Sequence, residues 1–258
     1  MSFFTKKLPE PTAGPQMGML ALKPTRGVTD SKIIRAWAEL FPALPPLTCS
    51  ISEGVFTFNV EDRNVMLIAI NMPIPQPEID EACEYSWMWK DALKEMAQQK
   101  AHVIVTSITE HAPQAAMDCS RIIAAVAKAG DPASIYWGNA GHVLEPAFFI
   151  DAVNSFESGL PVLLWVCLRI TGDGPKGPFT LTTEGLENFG HRELEIINSR
   201  RGVGDLRMMC FSLIDYLLEK GPVLKDGHTF GADENERMKI EHTTSKFRKG
   251  APVLRLHV

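Results

Sequence analysis

The chain has 258 residues, 45% of them hydrophobic and 22% charged, which is enough apolar material for a sizeable core. A net charge of −5 and a pI near 5.8 exclude the cation-rich surface that non-specific nucleic-acid binding needs, and they favour a basic partner. Apolar runs fall short of the roughly 20 residues that cross a bilayer, so no membrane partner is expected.

The first residues, Met1-Ser-Phe-Phe-Thr-Lys-Lys7, have no apolar segment after the lysines, and Pro9, Pro11 and Pro15 follow. Residues 1–17 are therefore expected to be a disordered lead-in and not a signal peptide. Gly18 to Lys23 reads as a first strand. Asp30 has the character of an N-cap, and Ile33, Ile34, Trp37, Leu40 and Phe41 recur at helical spacing up to Pro42. Strands are expected at Val55–Val60 and Val65–Ile70, joined by a turn at Glu61–Asn64. Pro73, Pro75 and Pro77 make a stiff extended link. Ile79 to Gln98 reads as one helix carrying Tyr85, Trp87 and Trp89, and His102–Ile108 as a strand. The order is β-α-β-β-α-β, a ferredoxin-like unit.

The second half repeats the rhythm loosely. Helices are expected at Gln114–Ala129 and Pro146–Phe156, with a short strand at Ile135–Gly138 between them. The run Leu160-Pro-Val-Leu-Leu-Trp-Val-Cys-Leu-Arg-Ile170 reads as a strand buried on both faces. Phe179–Thr183 pairs with it across Gly172–Gly177. Glu193–Ile197, a helix from Leu206 to Glu219 capped by Gly204 or Asp205 and stopped by Gly221, and strands at Met238–His242 and Val253–His257 complete the chain. The class is α+β, two ferredoxin-like half-units with mainly antiparallel sheets and helices packed on them. The expected division is a unit over residues 18–100 and a domain over residues 101–258.

Five cysteines occur, with no C-x-x-C pair, and most sit in apolar or helical patterns. Reduced thiols in a cytoplasmic protein are expected. The search for chemistry finds little. Neither Gly172–Gly177 nor Arg201-Gly-Val-Gly204 has the ending or the strand-to-helix context of a phosphate loop. Glu184, Glu187 and His191 form an E-x-x-E-x-x-x-H string, but Gly185 and Gly190 weaken any helix there. His102 opens an apolar strand and reads as a core or edge histidine. His142 is expected in a loop. Cys167 lies inside the most apolar run, a poor place for a nucleophile. No catalytic residue, metal site or cofactor is expected.

Arg200 and Arg201 are the sharpest polar feature. They are read either as a clamp for a small anion or as partners of Glu193, Glu195 or Asp205. Trp87 and Trp89 would diverge on a helix, one into the core and one partly exposed as a contact anchor. Charge says more. Asn64 to Trp89 has no Lys or Arg but contains Glu78, Asp80, Glu81 and Glu84. Ala129 to Leu168 has no Lys or Arg either, and Asp226 to Glu236 adds Asp233, Glu234 and Glu236. Brought together, such stretches make an acidic surface suited to a basic protein.

Tyr136-Trp-Gly138, Leu160–Trp165, Glu193-Leu-Glu-Ile196, Ser199–Arg201 and Gly221-Pro-Val-Leu-Lys-Asp-Gly-His-Thr-Phe-Gly231 together resemble the bacterial domain of unknown function 4261, from about Ala101 onward. That family implies no reaction. Size and acidity also resemble a type VI secretion immunity protein of the TsiT kind, which implies a co-produced nuclease toxin as partner. The leading expectation is thus a non-enzymatic immunity protein that neutralises a toxin by contact, with Glu78, Asp80, Glu81, Glu84, Trp87, Trp89, Asp233, Glu234 and Glu236 at the interface. The alternatives are an enzyme acting on a small anion through Arg200 and Arg201, with His142, and a structural subunit. A homo-oligomer is compatible with each.

Overall fold

The computed structural model describes residues 11–23, 28–155, 159–174, 176–231 and 237–258. They form two compact units, one over Gly14–Cys167 and one over Leu168–Val258 with the described residues before Gly14. Both units mix helices with mainly antiparallel sheet, as the α+β reading expects.

The first unit runs β1 (Gln16–Leu22), α1 (Asp30–Leu40), β2 (Thr48–Ser52), β3 (Val55–Val60), β4 (Arg63–Ile70), α2 (Gln76–Glu84), α3 (Ala92–Met96) and β5 (Ala101–Ser107). It continues with α4 (Ala112–Gly130), β6 (Pro132–Trp137), β7 (His142–Leu144), α5 (Pro146–Ser155) and α6 (Val162–Trp165). Its seven strands lie in the order β2-β3-β4-β5-β1-β6-β7, and every neighbouring pair is antiparallel. The sheet is therefore larger than the expected β-α-β-β-α-β unit. It also crosses residue 100, where a boundary was expected, because β5 lies between β4 and β1.

Two tight turns build the meander. Glu53-Gly54 and Glu61-Asp62 both hold φ between 47° and 80°, which suits two-residue hairpins. The second turn is shorter than expected, so Arg63 and Asn64 join β4. One face of the sheet carries Leu20, Phe58, Val65, Leu67, Val103 and Val105, all buried. Helix α4, rich in buried alanines, packs on that face, and α1 packs on α4. The small side chains permit a close approach, and a Cβ on Gly18 would lie 2.5 Å from Ile123 Cδ1.

Further expectations for this unit need correction. Asp30 is the first helical residue, and Thr29 takes the extended N-cap position. The helix expected over Ile79–Gln98 is broken. Helix α2 begins earlier, at Gln76 with Pro77 in its first turn, and ends at Glu84. Ser86 ends it: its Oγ donates to Ala82 O at 2.9 Å and accepts from Val143 N at 2.9 Å, tying the turn to β7. The strand expected over Leu160–Ile170 is also broken. Val162–Trp165 is a single helical turn with Leu164 and Trp165 buried, and Trp165 Nε1 donates to Ser120 Oγ at 2.9 Å. A short apolar run has no period that separates a buried helical turn from a buried strand.

The second unit begins with β8 (Cys167–Gly172) and β9 (Phe179–Glu184), followed by a 3-10 turn at Leu186–Phe189. Then come β10 (Glu193–Ser199), α7 (Val203–Lys220), β11 (Thr229–Phe230), β12 (Met238–Thr244) and β13 (Pro252–His257). The sheet order is β11-β12-β13-β10-β9-β8, with β10 and β13 parallel. Neighbours β8 and β9 form the expected hairpin. Helix α7 starts at Val203, earlier than expected, after Gly202 as N-cap, and ends at Gly221 with φ 78°. It buries Leu206, Cys210, Leu213, Ile214 and Leu217. Gln16 and Met17, expected in the lead-in, belong to β1, and residues 1–10 lie outside the described residues.

Candidate functional site

Helices α2 and α3 cover only part of the sheet face opposite α4. Ile79 and Ala82 of α2 and Ala92 and Met96 of α3 pack against Tyr136, Val143 and Met19, which belong to β6, β7 and β1. The register continues from Met19 to Ile104 and then to Ile68 and Val55. Those side chains share the face but lie beyond the helices. Met66 is 40% exposed there and Ile68 42%. Thr57 and Thr106 flank Met66 in the same row. Strands β2, β3 and β4 from Asn64 onward carry no charged side chain on either face.

Helix α2, which packs over β7 at the other edge of this sheet, is acidic. Glu78, Asp80, Glu81 and Glu84 are all exposed on α2, and residues 64–89 contain no Lys or Arg. Asp80 Oδ1 accepts from Gln76 Nε2 at 2.7 Å. The two tryptophans separate as expected, but in the turns after α2 and not on a helix. Trp89 packs against the cluster under α2, whereas Trp87 is 42% exposed. The structure thus places Glu78, Asp80, Glu81, Glu84 and Trp87 on one short stretch at the β7 side of the sheet, away from its uncovered half around β3 and β4. Asp233, Glu234 and Glu236 fall outside the described residues. The open sheet face escaped sequence reading. Its signal was there: Val65, Met66, Leu67 and Ile68 are apolar on both faces of a strand that has a helix on only one.

Elsewhere in the first unit, two histidines are structural. His142 lies in β7, not in a loop, and is buried with Nε2 3.0 Å from Leu164 O. His102 is buried with Nδ1 2.6 Å from Met72 O.

In the second unit Glu184, Glu187 and His191 do not share a helix. Glu184 ends β9 and pairs with Arg169, Glu187 sits in the 3-10 turn and pairs with Arg248 at 2.7 Å, and His191 is buried. Among the described residues no group of three or more His, Cys, Asp and Glu is placed to hold a metal ion. Two carboxylates on β10 are buried, as sequence reading missed. Glu193 accepts from Thr183 Oγ1 at 2.6 Å, Gly185 N at 2.9 Å and Glu187 N at 3.1 Å. Burial pushes its carboxyl up to about 7, with the three donors pulling the other way. Glu195 accepts from Arg255, Ser245 and Lys246.

These partners differ from the ones expected for Arg200 and Arg201. Arg200 is exposed. Arg201 N donates to Ser199 Oγ at 3.2 Å, and its side chain lies at a groove of about 700 Å³ along α7. All five cysteines are free, with Cys119, Cys167 and Cys210 buried. Burial pushes the Cys210 thiol up to about 12, far from a reactive thiolate. Among the described residues no helix is long and apolar enough to cross a membrane.

A family model described as Domain of unknown function (DUF4261) matches residues 182–257. The match spans the end of β9, then β10, α7, β11, β12 and all of β13, with both buried carboxylates. It takes in Glu193–Ile196, Ser199–Arg201 and Gly221–Gly231, while Tyr136–Gly138 and Leu160–Trp165 lie outside it. No curated protein matches the chain, and no solved structure matches it.

Proposed function

We propose that this protein is a binding protein that captures a basic partner protein on the outer face of the first unit's sheet. The observation that carries this reading is the exposed pair Met66 and Ile68, with half-buried Val55 and Ile104 around it, on a sheet whose β7 side carries an α2 with only acidic charged side chains. An apolar centre with a charged rim is the anatomy of a protein interface. The apolar part supplies burial, and the carboxylates speed association with Lys and Arg on the partner. Trp87, exposed in the turn after α2, supplies an aromatic anchor.

The biological role that fits is immunity: neutralisation of a co-produced secreted toxin by direct contact. The type VI secretion setting and the nuclease nature of the toxin rest on the resemblance in size and acidity. The test is co-expression with the product of the adjacent gene. The reading requires that the two proteins co-purify, that cells producing the toxin are rescued, and that Met66→Lys with Ile68→Lys abolishes both effects while the chain stays folded. Failure to co-purify and to rescue would overturn it.

A further inference from the structure

The groove on the second unit has two unlike walls. Helix α7 contributes Met208, Met209 and Tyr216, and β11 contributes Phe230, with Met238 of β12 between them. Asp205, Met208, Ser212 and Tyr216 follow one side of α7 and Arg201 lies just before its start, so the groove runs roughly 17 Å along the helix at 1.5 Å per residue and on to Arg201. That length fits about six residues of extended chain. The Tyr216 and Phe230 rings, 5.5 Å apart, close one end. Met208 is 68% exposed on α7. Thioether side chains adapt to varied apolar shapes, which makes such a wall suited to a binding surface.

Strand β11 is the last strand of its sheet. Thr229 pairs with Lys239 and Phe230 with Met238, and His228 O accepts from Ile240 N at 2.8 Å. Hydrogen-bonded and non-bonded pairs alternate along an antiparallel ladder, so the N–H and C=O of Thr229 point away from β12. The groove therefore combines the main-chain donor and acceptor of Thr229 with the apolar side chains of α7 and Phe230.

Charge gives it a direction. Arg201 sits where α7 begins, and the N-cap Gly202 supplies no side-chain hydrogen bond to the first turn. The helix dipole adds positive potential at that end, and Asp205 offsets only part of it. We propose that this groove binds an extended peptide segment of a partner protein, which adds a strand to β11, places bulky apolar side chains against Met208 and against Tyr216 with Phe230, and directs a carboxylate toward Arg201. Strand addition at a sheet edge is an established mode of peptide recognition, with pockets for alternate side chains giving selectivity. This inference stands apart from the capture surface of the first unit.

The probe is a fluorescein-labelled, N-acetylated, C-amidated peptide of sequence Asp-Val-Phe-Val-Thr-Val. A control peptide has its second and fourth residues replaced by Pro, which removes the strand donors. The full chain is expected to bind the first peptide saturably below about 1 mM and the control at least about tenfold more weakly. Met208→Asp, at an exposed position that leaves the fold intact, and Tyr216→Ala are each expected to weaken binding about tenfold. Arg201→Ala is expected to weaken binding of this peptide but not of its Asn analogue. Amide shifts should move at Thr229 to Gly231. The proposal is overturned by absence of saturation, by equal binding of the two peptides, or by undiminished affinity in Met208→Asp.

Discussion

Arg255 grips Glu195 with two nitrogens, Nη2 at 2.7 Å and Nε at 3.0 Å from the same oxygen, Oε1. The other oxygen accepts from Ser245 Oγ at 2.7 Å and Lys246 N at 3.1 Å. One fully buried carboxylate thus ties β10 to β13 and to the turn between β12 and β13. Arg255→Ala would leave that charge buried beside only neutral donors. The expected loss is about 3–5 kcal/mol. Urea unfolding checks it, and a double replacement, Glu195→Leu with Arg255→Met, should cost clearly less, because no charge is then stranded.

Glu193 predicts a pH dependence of known sign. Its carboxyl titrates near 7 in the folded chain against an ordinary 4.5. Between those values the folded state holds a proton that the unfolded state has lost. The contribution is therefore fully present below about 4.5 and is lost as pH rises through 7. The span corresponds to a term on the order of 3 kcal/mol. Glu193→Gln should flatten this part of the profile, measured as urea midpoints from pH 5 to pH 8. An unchanged slope in the variant would count against the assignment.

Trp87 and Trp89 should separate stability from binding. Trp89 packs under α2, so Trp89→Ala is expected to cost about 3 kcal/mol. Trp87 is 42% exposed, and Trp87→Ala should change stability by no more than about 0.5 kcal/mol. On the proposed capture reading, Trp87→Ala still weakens partner binding. Thermal melts and titration calorimetry on the two variants give the comparison.

The acidic side of α2 should act mainly on association rate. Replacing Glu78, Asp80, Glu81 and Glu84 by Lys is expected to slow capture of a basic partner by about tenfold or more at low salt. Added salt should narrow the gap between variant and parent, since exposed charges are screened. Stopped-flow association at two ionic strengths measures this.

Gly18 offers a test of packing alone. A Cβ there would lie 2.5 Å from Ile123 Cδ1 and 3.3 Å from the Trp137 ring, and both neighbours are buried without exposure. Gly18→Ala should therefore destabilise by about 1–3 kcal/mol through overpacking. Gly204, with nothing within 4 Å of its Cβ position, provides the contrasting alanine variant.

Local pattern carried the parts of this protein whose signals are local. The 19-residue α4 and the 18-residue α7 were legible from their period, and Gly221 marked the end of α7 because the chain there takes positive φ. The strands around Glu61-Asp62 were legible from a turn, and β2 was missed because Thr48-Cys-Ser-Ile-Ser52 is mostly polar. The acidity of α2 was legible as well, since no cation interrupts residues 64–89. Tertiary structure decided the rest. Ser86 broke the long helix by bonding to β7, a partner 57 residues away. Trp165 was drawn into a helical turn by Ser120, 45 residues away. Glu193 and Glu195 alternate like the solvent face of a strand, yet both are buried, because Thr183 and Arg255 meet them there. Which half of the large sheet lies under α2 and α3 is likewise absent from any single strand. Periodicity records what one segment wants to bury; only the packed chain determines which surfaces find a cover.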